Sequence, residues 1–209
     1  MTGDGAATSF REHVCREAER IVEGFPAELR SEIYVVSFRI WRVDQDPRRP
    51  YVAIGYNTES EVLRVREREC PYEGSARWEY AYWLLEGFET LGHVPGDPVG
   101  SALHLEEAKA EGLWYDDEEA GSLPEEEIEE RDDRLVSRFD EVCFEAARRL
   151  RTGGVLDRVF GGPLPVVVFD MDRPGWEVEA TAAANPADVI AAFAEHQGGV
   201  ADWTNRPRE

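Results

Sequence analysis

The sequence predicts an α+β fold, with helices packed on a mainly antiparallel or mixed sheet. Three observations carry this. Residues 33–43 and Tyr51–Tyr56 are rich in β-branched and aromatic residues and flank the turn cluster DQDPRRP, which reads as an antiparallel hairpin with a longer loop. Amphipathic stretches of helical period stand at both ends of the chain. Strands and helices do not alternate strictly, which argues against an all-parallel sheet. With 209 residues the chain is expected to form one domain with a real core, residues 1–209.

The elements follow in order. Residues 8–24 read as a helix: Ser9 is a candidate N-cap, Glu12 sits three residues on, and Phe10, Val14, Ala18, Ile21 and Val22 recur at helical spacing before Gly24 and Pro26. The hairpin comes next. Thr58 then caps a short charged helix over Glu59–Glu69, and Cys70–Ser75 reads as a loop. Residues 76–89, ARWEYAYWLLEGFE, fit both periods; strand first and turn later is the reading adopted. Residues 102–110 form a helix ending at Gly112. Leu135–Leu150 is the clearest helix, with one apolar stripe and Arg148, Arg149 and Arg151 at its C-terminal end. After Gly153-Gly154 the segment GVLDRVFGGPLP turns the chain, and the apolar run Val166–Asp170 reads as a buried central strand. Asn185 and Pro186 open a last helix as N-cap and first residue, Gly198-Gly199 end it, and 200–209 are expected to be a loose tail.

Charge narrows the function. There are 44 acidic and 23 basic residues, net −21, and Lys109 is the one lysine. Such a chain repels the phosphate backbone of nucleic acids and anionic membranes, and it suits a basic partner. Eleven of the acids fall within 116–133, where only Arg131 opposes them, so this stretch carries net −10. It reads as a surface insertion, either a solvated loop running into a helix or an acidic face for a partner. No apolar run reaches the length of a membrane span, and the N-terminal ten residues lack the pattern of a secretory signal, so a cytoplasmic location is expected. Cys15, Cys70 and Cys143 have no framework spacing, so no disulfide is expected.

Chemistry-bearing motifs are few. VVVFDMD, 166–172, resembles the strand-end D-x-D of haloacid-dehalogenase phosphatases, which would make Asp170 and Asp172 candidates for metal-assisted catalysis. Arg173-Pro174 stand where that family's pattern continues, and too little chain follows for its other elements, so a strand-end turn is preferred. Glu177 and Glu179 in WEVEA read as one exposed strand face beside them. His13, His93, His104 and His196 show no metal-ligand spacing, and His196 reads as a helix C-terminal partner. No phosphate-cradling loop is present, and no cofactor is expected. Trp78 and Trp83 belong to an aromatic segment that serves either core packing or a binding surface.

The runs IYVVSFRIWR, YVAIGYNTE and ARWEYAYWLLEG, then a long helix before a short apolar strand ending in acid, together resemble an uncharacterised bacterial family, domain of unknown function 4303. Asn57-Thr58-Glu59, Arg77-Trp78 and Glu86-Gly87 carry the match, which spans about 30–195. The resemblance implies a small acidic companion of a bacterial polymorphic toxin, an immunity protein, with no residue in a catalytic role. The expected function is binding of a basic, nucleic-acid-targeting toxin or effector through Asp116, Asp117, Glu118, Glu119, Glu125, Glu126, Glu127, Trp78 and Trp83. The alternatives are a metal-dependent enzyme using Asp170 and Asp172, and a non-catalytic adaptor.

Overall fold

Ile33–Arg42 (β1) and Pro50–Thr58 (β2) pair antiparallel, Phe38 opposite Ile54 and Ile40 opposite Val52, as the hairpin reading requires. In the computed structural model, which describes residues 8–69, 72–84 and 88–204 (side chains of 199–204 excepted), two further strands complete the sheet. Glu89–Gly92 (β3) lies antiparallel on β2, and Val166–Asp170 (β4) lies parallel on β1, giving the order β3-β2-β1-β4 and an α+β fold. The connection between β1 and β2, residues 43–49, is the longer loop expected, with Asp44 and Gln45 both at positive φ.

The helices are Phe10–Glu23 (α1), Glu59–Arg68 (α2), Glu73–Trp78 (α3), Pro98–Ala110 (α4), Asp117–Ala120 (α5), Glu125–Thr152 (α6), Val155–Phe160 (α7), Glu177–Ala184 (α8) and Ala191–Thr204 (α9). Ser9 caps α1 by accepting from the Glu12 amide, and Thr58 caps α2 by accepting from the Glu61 amide. Glu12 reaches the Arg149 guanidinium on α6, tying α1 to the long helix.

Strand alternation sends side chains to two different layers. Val36, Phe38 and Ile40 of β1, Val52 and Ile54 of β2 and Val166 and Val168 of β4 meet Phe10, Val14 and Ile21 of α1 and Phe139, Val142 and Leu150 of α6 in the main core. On the other face Val35, Val167 and Phe169 meet Trp78, Trp83 and Phe193. Each fully buried aliphatic side chain is worth about 1.5–3 kcal/mol, so these two layers hold the sheet in place.

Several expectations are corrected. β4 is buried on both faces, but it is an edge strand and not a central one. Its free edge is closed by side chains: Asn185 bonds both the N–H (2.9 Å) and the C=O (2.7 Å) of Val166, and Thr181 Oγ1 accepts from Val168 N–H at 3.0 Å. Asn185 therefore ends α8 and mimics a neighbouring strand's peptide instead of capping the last helix. Glu177 and Glu179 open α8 and are not on a strand face. Residues 73–78 are helical, and 80–82 form a single tight helical turn, where loop and strand were expected. The helix expected at 102–110 starts at Pro98, and 155–160, read as part of a turn, is α7. α6 begins ten residues before Leu135. α9 runs through Gly198-Gly199 to Thr204, so 200–204 are helix and His196 lies in its interior, 3.7 Å from Glu79. Residues 205–209, Cys70 and Glu86-Gly87 lie outside the described residues. Cys15 and Cys143 are buried free thiols, and no described helix is long and apolar enough to cross a membrane.

Candidate functional site

The acidic stretch folds as a helical ledge. Asp116 caps α5 by accepting from the Glu118 and Glu119 amides, while the Glu119 side chain accepts from the Asp116 amide. This reciprocal pair explains how four residues hold a turn. Pro124 then sets the entry to α6, whose first turn carries Glu125, Glu126 and Glu127 against the positive end of the helix dipole. Asp116–Glu119, Glu125 and Glu126 are exposed and Glu127 is half-buried.

The ledge is pinned from both sides. Arg48, at the tip of the hairpin, bonds Asp46 through Nε (2.9 Å) and Nη2 (2.8 Å). It also donates to the Tyr115 carbonyl at 3.0 Å and to Asp117 at 2.8 Å, with its guanidinium 4.7 Å from the Tyr115 ring centre. Tyr115 Oη donates to Asp132 at 2.6 Å. Burial pushes the Asp132 carboxyl upward, and nearby Asp46 adds to it. Beneath the ledge Leu113, Ala108 and Leu135 form a small apolar cluster, and Trp114 stacks on His93 with ring centres 5.8 Å apart. Within 116–133 the ion pairs among the described residues are Asp117–Arg48 and Glu127–Arg131. An open groove of about 490 Å³ runs along the ledge between Pro124, Glu126, Glu127, Glu130, Arg131 and Arg134. The arrangement presents carboxylates on the capped turn α5 and the first turn of the long helix α6, which suits recognition of clustered cations.

Trp78 and Trp83 do not join this surface. They are 8% and 3% exposed and pack in the second core layer, edge-on to Phe193 and Phe169, so of the two readings the structure supports core packing. Of the residues that carry the family resemblance, Asn57, Glu59 and Arg77 assemble into one structural joint. Asn57 Nδ2 donates to Tyr34 Oη at 2.9 Å, and Tyr34 Oη and Trp83 Nε1 both donate to the Arg77 carbonyl. Arg77 itself grips Glu59 with two bonds and lies 4.5 Å over the Tyr34 ring. These residues lock the end of β2 and α2 to α3.

Asp170 and Asp172 sit in an arginine network. Arg42 donates Nη1 and Nη2 to the two Asp170 oxygens, each at 2.9 Å, and Nη1 also reaches Asp172 at 3.1 Å. Arg173 bridges Asp170 (2.5 Å) and Asp140 (2.7 and 2.8 Å). The Asp172 amide donates to Asp170 at 2.9 Å. Burial pushes Asp170 up, but the Arg42 bonds, the amide and Arg173 outweigh it and hold the carboxyl below its ordinary value. Asp140 goes the other way: burial drives it to about 6 despite Arg173. With its oxygens taken by two guanidinium groups, Asp170 is a structural anchor between β1, β4 and α6, which is more than the strand-end turn the sequence suggested.

The sequence does not reveal the partners of His13, His93 and His104. His13 Nε2 lies 2.9 and 3.0 Å from the oxygens of Asp97, which also accepts from the Gly92 and Gly100 amides. His104 packs edge-on to Phe10 and to His93, and burial, then His93 and Arg138, lower it to about 4. His13 and Asp97 are 84 positions apart, a pairing no local motif encodes. Among the described residues no group of three or more His, Cys, Asp or Glu side chains is placed to hold a metal ion.

Comparison of the chain with family models, with curated proteins and with solved structures finds no match.

Proposed function

We propose that the protein is an acidic binding protein of the cytoplasm that neutralises a basic, nucleic-acid-targeting toxin by occupying its cleft. The observation that carries the reading is the ledge: exposed carboxylates at net −10, held on α5 and the start of α6 by Arg48 and Tyr115. A toxin that grips phosphates needs a positive cleft, and a fixed row of carboxylates competes for the same cations. Asp116, Asp117, Glu118, Glu119, Glu125, Glu126 and Glu127 are the proposed contacts. The resemblance to family 4303 at Asn57-Thr58-Glu59 and Arg77-Trp78 supports the same role. Since those residues build a joint, recognition is assigned to the ledge and fold maintenance to them.

The test starts from the neighbouring gene, which is expected to encode a secreted protein with a toxin domain, and co-expresses that domain with this protein. The protein is expected to restore growth and to protect nucleic acid from the purified toxin. A variant with Glu125, Glu126 and Glu127 all changed to Gln is expected to protect less well. Full protection by the variant, or a neutral or acidic toxin surface, would contradict the proposal.

A further inference from the structure

The second face of the sheet contains a cation with no counter-charge among the described residues. Arg39, on β1, is 4% exposed, and its Nε and Nη2 atoms have no hydrogen-bond partner. Its guanidinium lies 4.5 Å from the Phe88 ring centre and 6.0 Å from that of Trp83. No carboxylate of the described residues forms an ion pair with it. Two further polar atoms on this face are also buried without partners: Ser37 Oγ, two residues back on β1, and Asn57 Oδ1 on β2. The β2 residues opposite Arg39 and Ser37 are Ala53 and Gly55, and the Phe88 ring lies directly on Gly55, where no side chain could stand, which brings that ring against the guanidinium. A desolvated charge without a partner costs several kcal/mol, and buried polar atoms are almost always bonded. Three orphans on one sheet face therefore need an explanation.

We propose that this face is a binding site for a small aromatic carboxylate, with Arg39 as its receptor. Nε–H and Nη2–H are the two donors along one edge of the guanidinium, and together they match the two oxygens of a carboxylate in a bidentate pair. Ser37 Oγ is a further donor on the same face. The Phe88 and Trp83 rings give the site flat apolar walls, and Tyr80 and Trp41, 40% and 37% exposed, are aromatic groups of the same region that reach solvent. This site is separate from the acidic ledge, and its ligand chemistry is opposite to that of a basic partner.

The probe is benzoate, with benzamide as its neutral control, followed by thermal melting of the full chain. Benzoate at a hundredfold excess over its Kd is expected to raise the midpoint by roughly 5–10 °C, and benzamide to have no effect. Arg39→Lys keeps the charge but loses the fork, and is expected to weaken benzoate at least about tenfold. Arg39→Met keeps the apolar stem. Without ligand it is expected to melt at or above the wild-type midpoint, because an unpaired buried charge has been removed, and benzoate should no longer shift it. Equal shifts with benzoate and benzamide, or unchanged benzoate affinity in Arg39→Lys, would overturn the proposal. A strongly lowered midpoint of Arg39→Met without ligand would also overturn it, by showing that the guanidinium is already paired within the chain.

Discussion

Replacing Arg42 by Met should destabilise the protein through what it leaves behind. The Asp170 side chain is fully buried and Arg42 is 5% exposed, so the pair is sealed from water. Arg42 supplies two of the bonds to Asp170 and a third to Asp172. Breaking a buried pair by removing one partner costs about 3–5 kcal/mol, because the remaining charge is stranded in a poor solvent. Arg173 and the Asp172 amide still hold Asp170, so the low end, about 3 kcal/mol, is expected. For a chain of this length that corresponds to a melting point lower by roughly 6–12 °C. Urea unfolding of Arg42→Met, Asp170→Asn and the double variant forms a complete cycle. The single variants should sum to more than the double, with a coupling of about 2 kcal/mol or more. A cost for Arg42→Met below about 1 kcal/mol would refute the anchor. So would Mg²⁺ raising the wild-type melting point but not that of Asp170→Asn, because the carboxylate would then be a metal ligand.

Three other sites give outcomes of the same kind. His104 is held neutral at a value lowered to about 4, so its contribution is whole above pH 6.5 and fades as the pH falls toward 4. Asp140, raised to about 6, works in the opposite direction, its contribution being whole below about 3.8 and lost as the pH rises through 6. Comparing wild type with His104→Leu isolates the histidine: the variant should lose up to about 3 kcal/mol less between pH 7 and pH 4 by urea unfolding, and parallel curves would exclude the effect. Asn185→Ala should cost about 2–4 kcal/mol, because it strands the N–H and C=O of Val166 at a sheet edge; chemical denaturation with light scattering would read both the loss and any edge pairing. Arg48→Ala should speed amide exchange across 115–130 while the main core keeps its protection, and unchanged exchange there would mean the ledge is not pinned by Arg48.

Elements with a local signature were legible in the sequence. Ser9 and Thr58 cap their helices, the hairpin pairs on either side of its turn, and β4 occupies the apolar run. What was not legible depends on tertiary partners. The aromatic segment at 76–89 fits two periods; through Tyr82 it is helix and turn because Trp78 and Trp83 must reach Phe193 and Phe169 across the sheet. The start of α6 has no apolar stripe to reveal it, since its first two turns are almost wholly acidic and rest on Tyr115 and Arg131 contacts. Asn185 before Pro186 looks like a cap, and only the position of β4 makes it an edge closure. For the same reason β4, apolar on both faces, resembled a central strand. Asp116–Glu119, Glu125 and Glu126 are exposed, as charged residues in a local run are expected to be, whereas Arg42 and Asp170 are 128 positions apart and meet only in the folded chain.

If the ledge at 116–133 recognises a basic partner, the association kinetics carry its signature. Rates for wild type and for the Glu125, Glu126 and Glu127 to Gln variant would be measured against the immobilised toxin domain at low and at physiological salt. The wild-type association rate should fall about tenfold or more with added salt while dissociation changes less, since steering acts on encounter. The variant should associate more slowly and respond less to salt, with stability altered by at most about 0.5 kcal/mol. Association rates that respond neither to salt nor to the substitutions would contradict the claim and leave the ledge a solvated surface.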